Sequence, residues 1–251
     1  MGYGMAARER ERASSLIAEV VAVADLGGRR RDALWALFAR YYDRVERARF
    51  ERDLDAKDEV IVVADAAGEI VGFSTLVVET MTIDGRPIRL VFSGDTVVDR
   101  AHWGSQTFAF AWIRRLGAIA AASPLPAYWL LIVKGHRTYR YLPAFAGAYV
   151  PDWRGGDDPA LLRLRDAVAV RRFGEAYDPA TGLLRAAPGD GRLAPRWAEV
   201  TPREAARPDV RFFLERNPGH AEGDELVCLC PIDPANMRPL TRRLFLDGAV
   251  A

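Results

Sequence analysis

One carboxylate, Asp95, interrupts the apolar run "LVFSGDTVV". An unpaired carboxylate among apolar side chains is driven toward its neutral form, which raises its proton affinity into the range useful to a general base. The alternative is a carboxylate satisfied by neighbouring N–H groups at a bulge beside Gly94. His136, directly after Lys134-Gly135, is a second candidate, as a base or a contact for an acceptor, against a surface or capping role. Ser105 reads as a helix N-cap.

The two cysteines, Cys228 and Cys230, sit at i, i+2 in an apparent strand and point to one face. Their separation near the strand maximum, about 6.8 Å, suits a disulfide poorly. A metal pair would need further ligands, and His220 is the one candidate nearby. Buried core cysteines and no metal are the expectation. The segment "NPGHAEGDELVCL" gathers His220, Glu222, Asp224 and Glu225, either as a solvated loop entering a strand or as a metal or acceptor site.

The elements that must hold these residues follow from periodicity. Leu16, Ile17, Val20, Val21 and Ala24 fall at helical spacing after Ser14, ahead of a stop at Asp25 to Gly28. Leu34, Leu37, Phe38, Tyr41, Tyr42 and Val45 make a clearer amphipathic stripe. The period then changes to short β-branched runs, Glu59 to Ala64 and Glu69 to Met81, with a turn at Asp65 to Gly68. Asp84-Gly85 signals a two-residue turn into a third strand, Ile88 to Val98.

After Asp99 the helical period returns, with Phe108, Trp112, Ile113, Leu116, Ile119 and Ala120 on one stripe. Tyr128 to Val133 is an apolar run fit for a central strand buried on both faces. A helix over Thr138 to Tyr149 carries Tyr141, Leu142, Phe145 and Tyr149, with Pro143 forcing a kink or a late start. The order reads ααβββαβα. Beyond Pro151 the signals are a helix near Pro159 to Val170, a hairpin around Tyr177 to Leu184, a Pro/Gly/Arg-rich stretch from Ala187 to Pro208, and a strand at Leu226 to Ile232. Residues 1–13 read as disordered or expression-derived, 14–151 as a core, and 152–251 as an extension that packs on that core or completes its sheet.

The chain has 251 residues, half of them apolar, with a net charge of +1. It is long enough for a sizeable core, and it has no global field for nucleic acid or an anionic membrane. No apolar run reaches the roughly 18 to 20 residues that cross a bilayer, and Glu9, Glu11 and Glu19 spoil a signal peptide. A cytoplasmic protein without nucleic-acid or membrane partners is expected. Of its 35 lysines and arginines only Lys57 and Lys134 are lysine, so 33 are arginine, a ratio that reads as genome composition.

The stretches "EVIVVADAAGEIVGFSTLVVE" and "SGDTVVDRAHWGSQ", with the order ααβββαβα, resemble the GNAT acyltransferase superfamily over about residues 14 to 150. The resemblance implies an α/β (α+β) fold, a mixed and mostly antiparallel sheet flanked by helices, here with a C-terminal extension. It implies a fourth and a fifth strand that splay apart to admit the pantetheine arm of a thioester, whose pyrophosphate sits on the next helix N-terminus.

The donor end would then fall on Val97, Val98, His102, Trp103, Gly104, Ser105 and Gln106, with His102 at the donor mouth. Asp95 would be the base, with His136 as the further candidate, and Tyr141 or Tyr139 the acid that protonates sulfur; the alternative for each tyrosine is a core aromatic. The family's turn has Arg or Gln, Gly, and Gly or Ala where Trp103, Gln106 and Phe108 stand here. Side chains at the last two would obstruct the backbone approach that glycine permits.

The implied activity is transfer of an acyl group from acyl-CoA, or from the phosphopantetheine of acyl carrier protein, to an amine or hydroxyl of a small-molecule acceptor. The alternative is a catalytically inactive binding or structural module on the same bacterial-type fold. The aromatics Trp103, Phe108 and Trp129 suit either an acyl chain longer than acetyl or a packed core. The C-terminal residues are expected to form a lid over the acceptor or a homodimer contact.

Overall fold

The stretch after Leu16, read above as a helix, is a strand. In the computed structural model, which describes residues 16–187 and 189–250, the chain opens with β1 (Ile17–Ala22), paired antiparallel to the strand at 59–64. Its apolar spacing fits a helix as well as a strand, but only Ala18 and Val21 turn inward, while Ile17 and Val20 are exposed. These two lie on opposite faces of the sheet, Ala18 against the α3 layer and Val21 against the α1 layer, so the edge strand buries one contact on each face, and β-branched residues favour the extended backbone. The expectation for residues 1–13 lies outside the described residues.

Helix α1 (Gly28–Tyr41) follows, buried through Leu34, Leu37, Phe38 and Tyr41. A two-residue strand β2 (Tyr42–Asp43) leads to α2 (Arg47–Asp55), which has no counterpart in the sequence reading. The order ααβββαβα therefore holds after β1, but with α2 in place of the helix expected at 14–24.

The next three strands are β3 (Glu59–Ala64), β4 (Ile70–Ile83) and β5 (Arg86–Val98). The β4–β5 turn has φ of +48° at Asp84 and +75° at Gly85, the left-handed pair that a type I′ hairpin requires. Helix α3 (Thr107–Ala121) crosses the sheet and returns the chain to β6 (Ala127–Val133).

The aromatic helix expected at 138–149 is shorter and broken, α4 (His136–Tyr139) and α5 (Tyr141–Phe145). Pro143 is tolerated because it falls in the first turn of α5, where a backbone N–H has no intrahelical acceptor. Helix α6 (Pro159–Phe173) and the hairpin β7 (Tyr177–Asp178) and β8 (Leu183–Leu184) follow. The Pro-rich stretch holds β9 (Arg192–Leu193) and a series of short helices, each opened by its proline: α7 (Pro195–Ala198), α8 (Pro202–Ala205) and α9 (Pro208–Arg216). The chain ends in β10 (Glu225–Pro231) and α10 (Pro239–Ala249).

Eight strands form one sheet in the order β1-β3-β4-β5-β6-β10-β8-β7, antiparallel except for β5 and β6. Strand β10 pairs antiparallel with β6, so the extension continues the sheet. One face carries α3, α10 and the aromatic segment, packed on Ile61, Leu76, Val91, Trp129 and Leu131. Cys228 and Cys230 are free, buried and in that same layer. The other face carries α1 and α2 over Val60, Val62, Phe73 and Val97, and α6 over Leu90, Leu130, Val227 and Leu229.

Helices α3 and α10 touch backbone to backbone. A Cβ on Gly117 would stand 2.0 Å from the Phe245 carbonyl oxygen, and one on Gly248 2.0 Å from that of Arg114. No described helix is long and apolar enough to cross a membrane.

Candidate functional site

Strands β5 and β6 begin as a parallel pair, in register from Arg89 opposite Ala127 to Ser93 opposite Leu131, and then part. Beyond Ser93, β5 stays with β4 as far as Val98, while β6 stays with β10. Each therefore leaves backbone groups unpaired toward the gap. The divergence coincides with a bulge, where the β4–β5 register shifts so that Gly94 and Asp95 both stand opposite Thr75. Just past it Ser74 and Thr96 join hydroxyl to hydroxyl at 2.7 Å.

The gap opens into a cavity of about 820 Å³. Asp95 projects into its wall. Among the described residues it has no hydrogen bond and no cation within ion-pair distance, so the N–H-satisfied arrangement is absent although the bulge is present. Burial pushes its carboxyl above the usual carboxylate range, opposed by the positive charges of Lys134 and Lys57 and reinforced by Asp53.

Tyr141 lines the same cavity, its ring 6.2 Å from Phe108 and 5.3 Å from Phe145, with its hydroxyl pushed up to about 12 by burial. That hydroxyl has no protein partner among the described residues. Tyr139 is a core residue instead, fully buried and donating to the Pro151 carbonyl at 2.8 Å.

Val97, Val98, His102, Trp103, Gly104 and Ser105 also line the cavity; Gln106 and His136 do not. Gln106 is exposed to solvent. His136 is buried behind the cleft with Nε2 3.5 Å from a Glu204 oxygen, and burial together with Arg137 lowers it to about 4, so it is neutral at physiological pH. The obstruction expected from the two missing glycines takes another form. Phe108 turns into the core at 3% exposure, and the residue crossing the mouth is Trp103, whose indole N–H donates to the Val98 carbonyl at 2.8 Å. Ser105, read from sequence as the N-cap, stands one residue ahead of it: the N-cap is Gln106, whose side chain makes no cap bond, and Ser105 accepts from the Thr107 N–H at 3.3 Å.

The turn is pinned from outside. The Arg100 N–H donates to the Tyr41 hydroxyl at 2.6 Å, and Asp99 pairs with Arg40 at 2.6 Å. The strand pair β2–β9, with Tyr42 opposite Leu193, brings Gly189, Asp190, Leu193 and Trp197 over the cavity. Trp197 closes that roof, stacked on Tyr41 at 4.9 Å and edge-on to Trp103 at 5.7 Å. The C-terminal residues thus cover one side of the cavity. Trp129, expected near the cleft, is 2% exposed in the core.

The sequence reading gave no site role to the wall residues Lys57, Lys134 and Tyr42, and of the cluster His220, Glu222, Asp224 and Glu225 only Glu225 reaches the wall. Lys134 Nζ is 3.6 Å from Glu225, 3.4 Å from the Asp190 carbonyl and 5.8 Å above the Tyr42 ring. Burial raises the Glu225 carboxyl and the Tyr42 hydroxyl alike, and Asp95 adds to both shifts. Lys57 Nζ donates to the Asp53 carbonyl at 2.8 Å and has no carboxylate within ion-pair distance among the described residues. The signal for both lysines was their rarity: the only two in the chain face one cavity.

The other expected polar cluster separates. Asp224 accepts from the Ala186 N–H and pairs with Arg185 at 2.8 Å, while His220 packs on Phe213. Among the described residues no group of His, Cys, Asp and Glu is placed to hold a metal.

No family model and no curated protein matches the sequence. Solved structures do. A probable N-acyltransferase from Enterococcus faecalis aligns over 53% of this chain at 12% identity and a TM-score of 0.41. A GNAT family N-acetyltransferase (YhbS) from Escherichia coli, in complex with CoA, aligns over 52% at 15% identity and a TM-score of 0.38. A GCN5-related N-acetyltransferase from Kribbella flavida aligns over 55% at 16% identity and a TM-score of 0.39. The alignments span 33%, 69% and 35% of those three chains respectively. On its own strand order, with one parallel pair splaying beside a bulge in a mostly antiparallel sheet, the chain has a GNAT-like fold.

Proposed function

We propose that the protein is an acyltransferase that moves an acyl group from a thioester donor to an amine or hydroxyl of a small-molecule acceptor. The observation carrying this reading is the parting of β5 and β6 at Ser93 into a cavity that holds both an unpaired carboxylate, Asp95, and an unpaired phenol, Tyr141. The residues fit a pantetheine arm. The unpaired edge of β5 offers backbone donors and acceptors to its amides, and the α3 N-terminus, beside Arg100, offers N–H groups to a phosphate.

With an amine acceptor, nitrogen attacks the thioester carbonyl and its proton passes to Asp95. N–H groups of the β5 edge hold the oxyanion. The C–S bond then breaks, Tyr141 gives its proton to sulfur, and amide and free thiol leave. A carboxyl raised by burial suits the first proton transfer.

Acyl-CoA and acylated carrier protein deliver the same arm. Titrating the protein with acetyl-CoA, long-chain acyl-CoA and acylated carrier protein, and following the thermal midpoint, tells them apart, because a ligand of the native state raises it. Failure of all three favours a catalytically inactive binding module.

A further inference from the structure

The cavity wall holds two opposite charges that have no ion partner among the described residues. Asp95 has none, and Lys57 bonds only to a backbone carbonyl. They are neighbours across the bulge: a Cβ on Gly94 would lie 3.6 Å from Lys57 Nζ, and Gly94 immediately precedes Asp95. The other charges lining this end of the cavity are largely committed. Arg49 pairs with Asp190, Arg185 with Asp224, Arg137 with Glu204, Arg140 with Asp209, and Lys134 with Glu225.

A buried carboxylate without a partner is costly, and a ligand that carries the complementary pair gives an ion partner both to Asp95 and to the half-exposed Lys57. Arginine supplies nearly every other positive charge in this chain, yet this wall uses lysine. A compact ammonium can pass over Gly94 where a planar fork would not.

We propose that the acceptor is a zwitterion of the amino-acid type, its amine received by Asp95 and its carboxylate by Lys57. This rests on the acyltransferase reading for the reaction but not for the binding. The amine that Asp95 receives is the one to be acylated: an N–C bond replaces the C–S bond, the ammonium keeps one proton as the amide N–H and loses two, one released to solvent and one taken by Asp95 to match the proton that Tyr141 gives the thiol sulfur, and the carboxylate is unchanged.

The experiment is thermal-shift titration of the full chain, without donor, with the standard free amino acids, then with the C-terminal amide and N-acetyl form of any that stabilise. One or more free amino acids should raise the midpoint, and both derivatives should bind about tenfold or more weakly, since each loses a charge-assisted contact. Lys57→Met should remove the preference for the acid over the amide. No stabilisation by any amino acid, or equal binding of acid and amide by the wild type, overturns the proposal whatever the variant does. Donor titrations are read separately: donor binding without amino-acid selectivity sinks this inference alone, and amino-acid binding without donor binding sinks the acyltransferase reading.

Discussion

Lys57 lies across Gly94. A Cβ at Gly94 would stand 2.8 Å from Lys57 Cε and 2.6 Å from the buried Thr75 hydroxyl. Glycine is needed there because the space a methyl group would take is filled, on one side by the lysine entering the cavity and on the other by the strand beneath. Gly94→Ala should therefore displace Lys57 and cost roughly 1–3 kcal/mol in overpacking, seen in chemical denaturation. It should also lower transfer activity. An alanine variant with wild-type stability and rate would mean that Lys57 does not depend on the bulge.

Asp95→Asn should separate stability from function. The folded state raises this carboxyl's proton affinity, so it binds the proton more tightly than the unfolded chain does, and the ionised side chain costs stability at every pH above the raised value. The amide removes that cost. We expect the variant to melt at or above the wild-type temperature at pH 7 while losing about 10²- to 10⁴-fold in transfer rate. In the wild type the rate should rise with pH through the raised carboxyl value and then level. A variant that melts lower and transfers normally would make Asp95 a structural residue.

Tyr141→Phe should reduce turnover by about 10²-fold or more with little change in donor binding, because only the proton for sulfur is lost. The phenol has no partner among the described residues to orphan, so the melting temperature should hardly move. A loss confined to KM would place the hydroxyl in binding.

Trp103→Phe should tighten donor binding by about fivefold. The indole N–H occupies the Val98 carbonyl, on the strand edge that a pantetheine amide would use. Removing it frees the acceptor for roughly one hydrogen bond's worth of affinity. Weaker binding would show that the indole itself contacts the donor.

His136 sets a pH limit on stability. Its folded value of about 4 lies below its ordinary 6.5, so the unfolded chain binds the proton more readily. The contribution is full above pH 6.5 and is lost as pH falls toward 4, by roughly 3 kcal/mol in all. His136→Asn should flatten the stability profile across that window and leave the pH dependence of transfer near neutrality unchanged.

Much of the cleft was legible in the sequence, for reasons tied to particular residues. Asp95 stood out because a charge in "LVFSGDTVV" needs an explanation, and Tyr128 to Val133 read as central because no polar side chain broke it. Asp84-Gly85 fixed the β4–β5 register through backbone conformation alone. Strand β1 was misread because its inward residues, Ala18 on one face and Val21 on the other, stand three apart, a spacing that also fits a helix. A lid from the C-terminal residues was one of two expectations, but which residues form it was not legible, because Leu193 is placed by a two-residue pairing with Tyr42 and Asp43 that is too short to leave a periodic signal. The lysines were visible only as a count, and their convergence depends on a bulge and a strand end far apart in the chain.

The most direct test is thermal melting with a thioester donor against the matching free thiol, in wild-type protein and in Asp95→Asn, with thiol release followed in the same samples after an amine is added. At least one donor should raise the midpoint of both proteins, with thiol release in the wild type and almost none in the variant. No shift with acetyl-CoA, long-chain acyl-CoA or acylated carrier protein, or equal thiol release from both proteins, would contradict the assignment of the β5–β6 cleft as a thioester seat with Asp95 as its base.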